Sequence, residues 1–293
     1  MSRRGCLPML PGRQRGVALL LVLWACTLLA ILLGGYAALA RTEALQARYQ
    51  FAQTQAHYAA EAGIMRGFYG LHDQLAARRW IGDGRVYRFR YGDATVKVSA
   101  LDESGKVDLN AASPQVLQGL FQAAGLAPEQ ASALTANVVD WRGLPGQAGE
   151  VAARRATYRA AGRSYAPRSG PFASIEELQM VLGMTPALYR RVAPVVTIWS
   201  GNATPDPNTA PPLALAAIPG MTPSQQAMIA AARQRQAGDP TRVLDNGTTQ
   251  SLRAEATLAD GTRAVLRATM RLQAGPAGAQ PYVVLRWQEG DAE

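Results

Sequence analysis

The side chains that could carry out chemistry in this 293-residue sequence are few and widely spaced. Histidine occurs only at His57 and His72, and neither lies at the short spacing from another histidine or cysteine that a zinc site uses. Asp102, Glu103 and Asp108 form a group of carboxylates, but this arrangement is more typical of residues that cap turns. No Gly-x-Ser-x-Gly motif, phosphate-binding loop or nucleophile with a plausible base is present. The sequence therefore argues against an enzyme, and no catalytic residue is assigned.

The charge distribution argues against a nucleic-acid-binding protein, and the cysteine content argues against a disulfide-linked one. The formal net charge is +9, but four of the arginines precede a long apolar run: Arg3, Arg4, Arg13 and Arg15. The remaining arginines are scattered, which indicates an arginine-rich surface rather than a nucleic-acid patch. Cys6 lies before the apolar run and Cys26 inside it, so no disulfide can link the folded part.

The apolar run extends from Val17 to Ala40 without one charged residue. As a helix it would be about 36 Å long, enough to cross a hydrocarbon core of about 30 Å. A cleaved secretory peptide has a shorter apolar region, of about 7–15 residues. The preceding arginines place the N-terminus in the cytoplasm by the positive-inside rule. We therefore predict a basic leader at residues 1–16 and a membrane span at residues 17–40.

The helical pattern continues beyond the span, because residues 41–80 contain no proline and repeat apolar or small residues at helical spacing. These residues are Leu45, Tyr49, Ala52, Ala56, Ala59, Ala60 and Gly63. The pattern predicts one helix of about 60 residues, with one half in lipid and an amphipathic half in water.

Alternating sequences predict five strands in two groups, at residues 81–105 and 239–293. The strands are Val86–Tyr91, Thr95–Leu101, two runs on either side of Asp260-Gly261, and Tyr282–Trp287. Gly92-Asp93 and Asp260-Gly261 are hairpin signals. The expected fold class is α+β, with the long N-terminal helix packed on a small antiparallel sheet.

Residues 106–238, between the second and third strands, are expected to form a large inserted all-α domain. "DLNAASPQVL" at Asp108 and "DPNTAPPLAL" at Asp206 form an internal repeat. "GMTP" occurs at Gly183 and Gly220, with a weaker copy, "GLAP", at Gly125. Glycine that ends one helix, threonine that caps the next and proline in its first turn are typical of helix–hairpin–helix-like units.

Two further patterns lie within this inserted part. "SIEE" at Ser174 predicts a capping box that opens the helix before the first GMTP motif. The Gly/Arg-rich stretch from Asp140 to Phe172 has no obvious core and predicts an exposed excursion or a ragged helix.

The helical hairpins raise a nucleic-acid hypothesis, because such modules bind phosphate through backbone amides at a helix N-terminus. That mode of binding needs a Gly-hydrophobic-Gly hairpin, whereas the third position of the GMTP and GLAP motifs is threonine or alanine. Proline follows Thr185 and Thr222 and removes one amide donor. The hairpins therefore fit a structural role better than nucleic-acid binding.

The junction Arg15-Gly16-Val17, after a basic leader and before an apolar helix, resembles the class-III signal of type IV pilin-like proteins. In that family a membrane peptidase cuts after the glycine and methylates the new N-terminus. The resemblance implies cleavage between Gly16 and Val17 and N-methylation of Val17. Most pilins have glutamate at the fifth mature position, where this sequence has Leu21. The departure fits a subunit that begins a filament rather than extends one.

Together with "LDESGKVDLNAASP", "GPFASIEELQMVLGMTPALYRRVAPVVTIWSG" and "NTAPPLALAAIPGM", this junction makes nearly the whole chain resemble the K-type minor pseudopilins of the type II (general) secretion pathway. The resemblance implies a pilin-like, non-enzymatic subunit at the pseudopilus tip. Its implied role is to help initiate pseudopilus assembly and the export of folded proteins across the outer membrane. It also implies a single pass through the bacterial inner membrane and a periplasmic C-terminal domain.

The implied partners are the I- and J-type minor pseudopilins, the prepilin peptidase and the inner-membrane assembly platform, and a nucleic-acid partner is not expected. Calcium is associated with some family members, near an Asp-Trp pair that corresponds to Asp140 here. Asp140 is followed by Arg142, Gly143 and Leu144 instead of acidic residues. Calcium needs several oxygen ligands, so no metal site is assigned beyond Asp140 as a candidate ligand.

The alternative that stays open is a membrane-tethered DNA receptor of the competence type, which also uses helix–hairpin–helix units. Such a receptor would need neither the prepilin junction nor the flanking strands.

Overall fold

The computed structural model describes residues 15–143, 148–236, 247–273 and 280–290. Contacts group the chain into two units, Met1–Gln55 and Ala56–Glu293, and each unit is described by itself. Most of the predicted leader therefore lies outside the described residues.

The first helix, α1, runs from Arg15 to Leu71 over 57 residues, as the uninterrupted helical pattern predicts. In the second unit its buried residues recur at intervals of three and four: Ala56, Ala59, Ala60, Ile64, Phe68 and Leu71. Gly63 lies among them, and a Cβ atom there would be 2.8 Å from Val96 Cγ1. Small residues therefore allow this part of α1 to pack closely on the sheet.

Seven strands lie in the described part of the chain. They are β1 (Asp83–Tyr91), β2 (Ala94–Asp102), β3 (Val107–Asp108), β4 (Val196–Thr197), β5 (Thr249–Thr257), β6 (Arg263–Leu272) and β7 (Tyr282–Glu289). Five of them form an antiparallel sheet in the order β1-β2-β5-β6-β7. Gly92 and Gly261 have positive φ angles of 55° and 88° at the two predicted hairpin turns. The α+β fold expected from the sequence is confirmed.

The second and third strands of this sheet are far apart in sequence but adjacent in space. Asp102 at the end of β2 is paired with Gln250 of β5, and Thr95 with Thr257. In the described part of the chain, the remaining α-helices lie between these strands, as the sequence predicts. They are α2 (Pro114–Ala123), α3 (Pro128–Arg142), α4 (Ala148–Ala160), α5 (Pro186–Val192), α6 (Pro212–Ala216) and α7 (Pro223–Gln236). We call the residues between β2 and β5 the inserted segment.

The inserted segment also contains a short parallel pair that the sequence did not predict. Val107 of β3 is paired with Val196 of β4, and Asp108 with Thr197. Each strand has two residues, too few for an alternating pattern to be recognised. The other regular elements in the described part of the segment are helices.

Both GMTP motifs form the predicted helix junctions. Gly183 and Gly220 have positive φ angles of 88° and 76°, a conformation that favours glycine. The hydroxyl of Thr185 accepts from the backbone N–H of Leu188 at 3.2 Å, and that of Thr222 accepts from Gln225 at 3.3 Å. Proline then opens α5 and α7, where its missing N–H costs nothing.

Two local predictions were wrong. Ser174 makes no side-chain cap to the helix that follows, and Ile175–Met180 is a 3-10 helix, so there is no capping box. The stretch from Asp140 to Phe172 is not without a core, because Tyr158 and Phe172 are buried. Their rings surround Trp141, at centroid distances of 6.1 and 6.2 Å. The sequence did not reveal this cluster, because the stretch is rich in arginine and its aromatic residues follow no regular spacing.

The two copies of the internal repeat lead into helices that touch. A Cβ atom at Gly119 of α2 would lie 2.6 Å from the carbonyl oxygen of Ala217, just after α6. We expect Gly119→Ala to lower the free energy of unfolding by about 2 kcal/mol, although alanine favours a helix by about 1 kcal/mol. Urea unfolding of the full chain, followed by circular dichroism, measures the change.

Gly170→Ala is the control, since no atom lies within 4 Å of a Cβ there. Equal stability of the Gly119→Ala and Gly170→Ala chains would show that α2 and α6 do not approach closely.

Candidate functional site

The N-terminal part of α1 is a candidate membrane anchor. Among the described helices, the one from Val17 to Leu71 is long and apolar enough to cross a membrane, by length and composition. Large apolar side chains such as Leu21 and Trp24 are 67% and 69% exposed. Exposure on this scale suits a lipid environment, because lipid tails are as apolar as leucine.

The three residues of the predicted signal lie at the start of α1. Gly16 is in the first turn of the helix, Val17 follows it, and Leu21 is one turn further on. Cleavage of the peptide bond between Gly16 and Val17, and methylation of Val17, stay predictions.

At the base of the inserted segment, the Asp108 carboxylate joins two distant parts of the chain. It is 1% exposed, and Oδ1 accepts from the backbone N–H groups of Asn110 and Ala111 at 2.8 and 3.1 Å. Oδ2 accepts from Ser200 Oγ at 3.2 Å and from the N–H of Gly201 at 2.7 Å. One side chain therefore ties the turn before α2 to the loop after β4. The sequence predicted a capping aspartate but not this second set of donors.

The second copy of the repeat forms the same turn at a more exposed place. Asp206 Oδ1 accepts from the backbone N–H of Asn208 at 2.9 Å and from its Nδ2 at 3.0 Å. The N–H of Ala210 donates to the carbonyl of Asp206 at 2.9 Å, as Ala112 does to Asp108 at 2.8 Å. The repeat is therefore structural in both copies, but only Asp108 connects it to another part of the chain.

The Asp140 region differs from a metal site. Asp140 Oδ1 lies 3.6 Å from Arg154 Nη2, so its carboxylate has a cationic partner. Arg142 donates to the carbonyls of Leu109 and Ala112 at 2.8 and 2.7 Å. Burial lowers the pKa of Arg142, and the charge of Asp108 acts in the opposite direction. Across the described ranges, which omit residues 144–147 and hence Leu144, no group of three or more acidic, histidine or cysteine residues could hold a metal ion.

The hairpin arginines that a nucleic-acid site would use bind the protein itself. Arg191, after the first GMTP motif, donates to the carbonyl of Ala124. Arg233 of α7 donates to the carbonyls of Ala210, at 2.8 Å, and Pro207. These guanidinium groups hold helix ends together, which supports a structural role for the hairpins.

Comparisons with a family model, with a protein sequence and with solved structures each give a match. The family model described as "Type II secretion system (T2SS), protein K" matches residues 96–201, which include most of the inserted segment. The type II secretion system protein K of Klebsiella pneumoniae is 28% identical over 251 residues, covering 77% of this chain and 75% of that protein.

A chain in the crystal structure of the GspK-GspI-GspJ complex from the enterotoxigenic Escherichia coli type 2 secretion system has a similar fold. The TM-score is 0.57 with 17% identity, and the match covers 84% of this chain and 100% of that chain. At this identity the likeness concerns the fold alone.

Proposed function

We propose that this chain is a type II secretion system protein K and acts as a minor pseudopilin at the tip of the pseudopilus. There it helps to initiate pseudopilus assembly and the export of folded proteins across the outer membrane. The observation that carries the proposal is the inserted segment in a pilin-like sheet, over which the family model matches. The family is one of secretion proteins, and we propose no catalytic role.

The apolar part of α1 supports a single pass through the inner membrane. We place the N-terminus in the cytoplasm before processing and the folded unit in the periplasm, because basic residues precede the apolar run. We further propose that the prepilin peptidase cuts after Gly16 and that Val17 is then methylated.

The proposed partners are I- and J-type minor pseudopilins, since the structural relative was solved in complex with GspI and GspJ. Leu21 supports a terminal position in the filament. A carboxylate in lipid is costly and persists where it finds a partner, and a subunit with no neighbour beyond it needs no such contact. The DNA-receptor alternative has no support, because Arg191 and Arg233 bind backbone carbonyls of the chain itself.

Co-purification tests this function. We expect the tagged full chain, solubilised from membranes that also contain the I- and J-type proteins of the same secretion system, to retain both of them. The major pseudopilin should not be retained in comparable amount, because a tip subunit contacts the body of the filament only once. Retention of the major pseudopilin without the I- and J-type proteins would contradict the proposed position.

A further inference from the structure

The two edges of the five-stranded sheet, β1 and β7, differ in charge. β1 has a register shift near its start and carries three arginines on nine residues: Arg85, Arg88 and Arg90. Charged side chains and bulges at a sheet edge oppose the addition of another strand. β7 begins instead with four uncharged residues, and the arginine that follows them, Arg286, is paired with Glu176 at 2.7 Å. We call residues 282–285 the β7 edge.

The backbone of the β7 edge has hydrogen-bonding groups that no described residue uses. The N–H of Gln273 donates to the carbonyl of Pro281 at 2.8 Å, so the backbone of Pro281 faces β6. Successive residues of a strand direct their backbone groups to opposite sides, so Val283 also faces β6, whereas Tyr282 and Val284 face away from it. Within the described ranges these two residues form no hydrogen bond on that side. Their N–H donors and carbonyl acceptors are therefore available.

Apolar side chains flank these backbone groups. Val283 and Val284 are 37% and 41% exposed. Val284 is on the α1 face of the sheet, because it is paired with the buried Met270. On the same face, the ring of Tyr69 of α1 is 6.4 Å from that of Tyr282, and Tyr69 is 53% exposed. A strand added beside β7, at the usual separation of about 4.8 Å, would cover this exposed apolar surface.

We propose that the β7 edge adds an extended segment of another protein as a further strand, and that this segment carries β-branched apolar side chains. Alternating N–H and C=O groups at strand spacing are complemented by a second extended backbone, the mode of recognition in which a peptide joins the edge of a sheet. The phosphate groups of a lipid or a nucleic acid offer acceptors and would leave the carbonyl groups without donors. β-Branched residues suit the segment, because they favour an extended backbone and pack on a pleated surface.

A second copy of this chain suits the β7 edge less well than another protein. Glu289 at the end of β7 lies 3.8 Å from His57, and the ring of Tyr282 at its start lies 5.4 Å from that of Phe68. β7 therefore runs opposite to the part of α1 that packs on it. A twofold dimer would pair two β7 strands antiparallel and direct these helices oppositely. Two copies anchored in one membrane through α1 have parallel helices, so this step rests on the proposed membrane anchor.

Fluorescence anisotropy on the full chain in an uncharged detergent tests the proposal. The probe is a labelled eight-residue peptide of alternating threonine and valine, N-methylated at every second residue. One of its edges can then form hydrogen bonds, and the peptide cannot assemble into larger sheets. The control peptide is N-methylated at every residue. We expect the probe to bind, and the control peptide to bind at least about tenfold more weakly, because it has no N–H donors.

Val284→Lys should weaken binding of the probe about fivefold, since it replaces an apolar cross-strand contact by a charge at the edge. Val86→Lys is the matched control, because Val86 is 48% exposed and lies on β1, the opposite edge of the same sheet. That variant should bind the probe within about twofold of the unchanged chain.

The proposal is overturned if the probe does not bind, if the fully methylated peptide binds equally well, or if both lysine variants lose affinity equally. Sedimentation of the unchanged chain in the same detergent tests the second copy, and a dimer that Val284→Lys dissociates would also overturn the proposal. The comparison of the two peptides needs no substitution, so it decides the matter even if Val284→Lys fails to fold. None of these measurements involves the I- or J-type proteins, so failure here is distinct from failure of the proposed tip position.

Discussion

Replacement of Asp108 by alanine is expected to lower the free energy of unfolding of the full chain by about 4 kcal/mol. The carboxylate is 1% exposed and accepts four hydrogen bonds, two from the turn before α2 and two from Ser200 and Gly201. Alanine would leave these buried donors without an acceptor. The loss should exceed that of an ordinary capping residue, which costs about 1 kcal/mol.

Asp206→Ala is an internal control, because the repeat places the same residue in the same turn. Among the described residues, the Asp206 carboxylate accepts only from Asn208, and Asp206 is half-buried, so its loss should cost about 1 kcal/mol. Urea unfolding of both variants in detergent, followed by circular dichroism, gives the two values. Losses of equal size would mean that the contacts to Ser200 and Gly201 contribute nothing.

Gly16→Val is expected to block removal of the leader and to reduce secretion to the level of cells without the protein. Valine places a stiff, branched side chain on the leader side of the cut, where glycine has only a hydrogen atom, so the peptidase must accommodate a bulkier residue. An uncleaved chain keeps its basic leader on the cytoplasmic side, where it opposes movement of the subunit out of the membrane. The intact mass of the membrane-extracted chain reports the processing, and the amount of exported protein in the medium reports the function.

Gly12→Val is the control for this prediction, since Gly12 lies in the leader and the peptide bond after Gly16 is unchanged. That variant should be processed to a chain beginning with N-methyl-Val17. A normally processed Gly16→Val chain, or an intact leader on the unchanged protein, would contradict the processing proposal.

Much of the fold follows from local patterns. The strands around Gly92 and Gly261 were predicted because alternation extends over at least six residues and each pair has a glycine at its turn. The GMTP junctions were predicted because glycine, threonine and proline each have a defined place at helix ends. In these cases the conformational preferences of neighbouring residues were sufficient to predict the structure.

Other features depend on contacts that no local pattern records. Asp108 and Gly201 are 93 positions apart, and the donor of Gly201 is a backbone N–H that every residue except proline has. Trp141 and Phe172 pack together across the Arg-rich stretch, without a regular spacing. Both features arise only when the inserted segment folds back on itself, so the sequence alone did not predict them.

In the candidate site, too, some residues could be predicted from the sequence and others could not. Gly16, Val17 and Leu21 were identified from type and spacing, and the structure adds their place in the first turns of α1. The basic residues on the sheet face opposite α1 were not recognised as a group, because they lie on five strands, and the inserted segment separates two of these from the other three. Recognising them as a group needed the strand register.

The pairing of β2 with β5 has an evolutionary consequence. Asp102 faces Gln250 in the ladder, and its carboxylate accepts from the N–H of Gly247, so the chain leaves and re-enters the sheet at almost the same point. The inserted segment therefore connects β2 and β5 as a hairpin loop would. Because the entropic cost of bringing the ends of a loop together grows slowly with its length, the length of the segment adds little to that cost. The inserted segment can therefore be lengthened, shortened or exchanged without a change in the strand pairing of the sheet. Its surface can vary while the sheet stays the same.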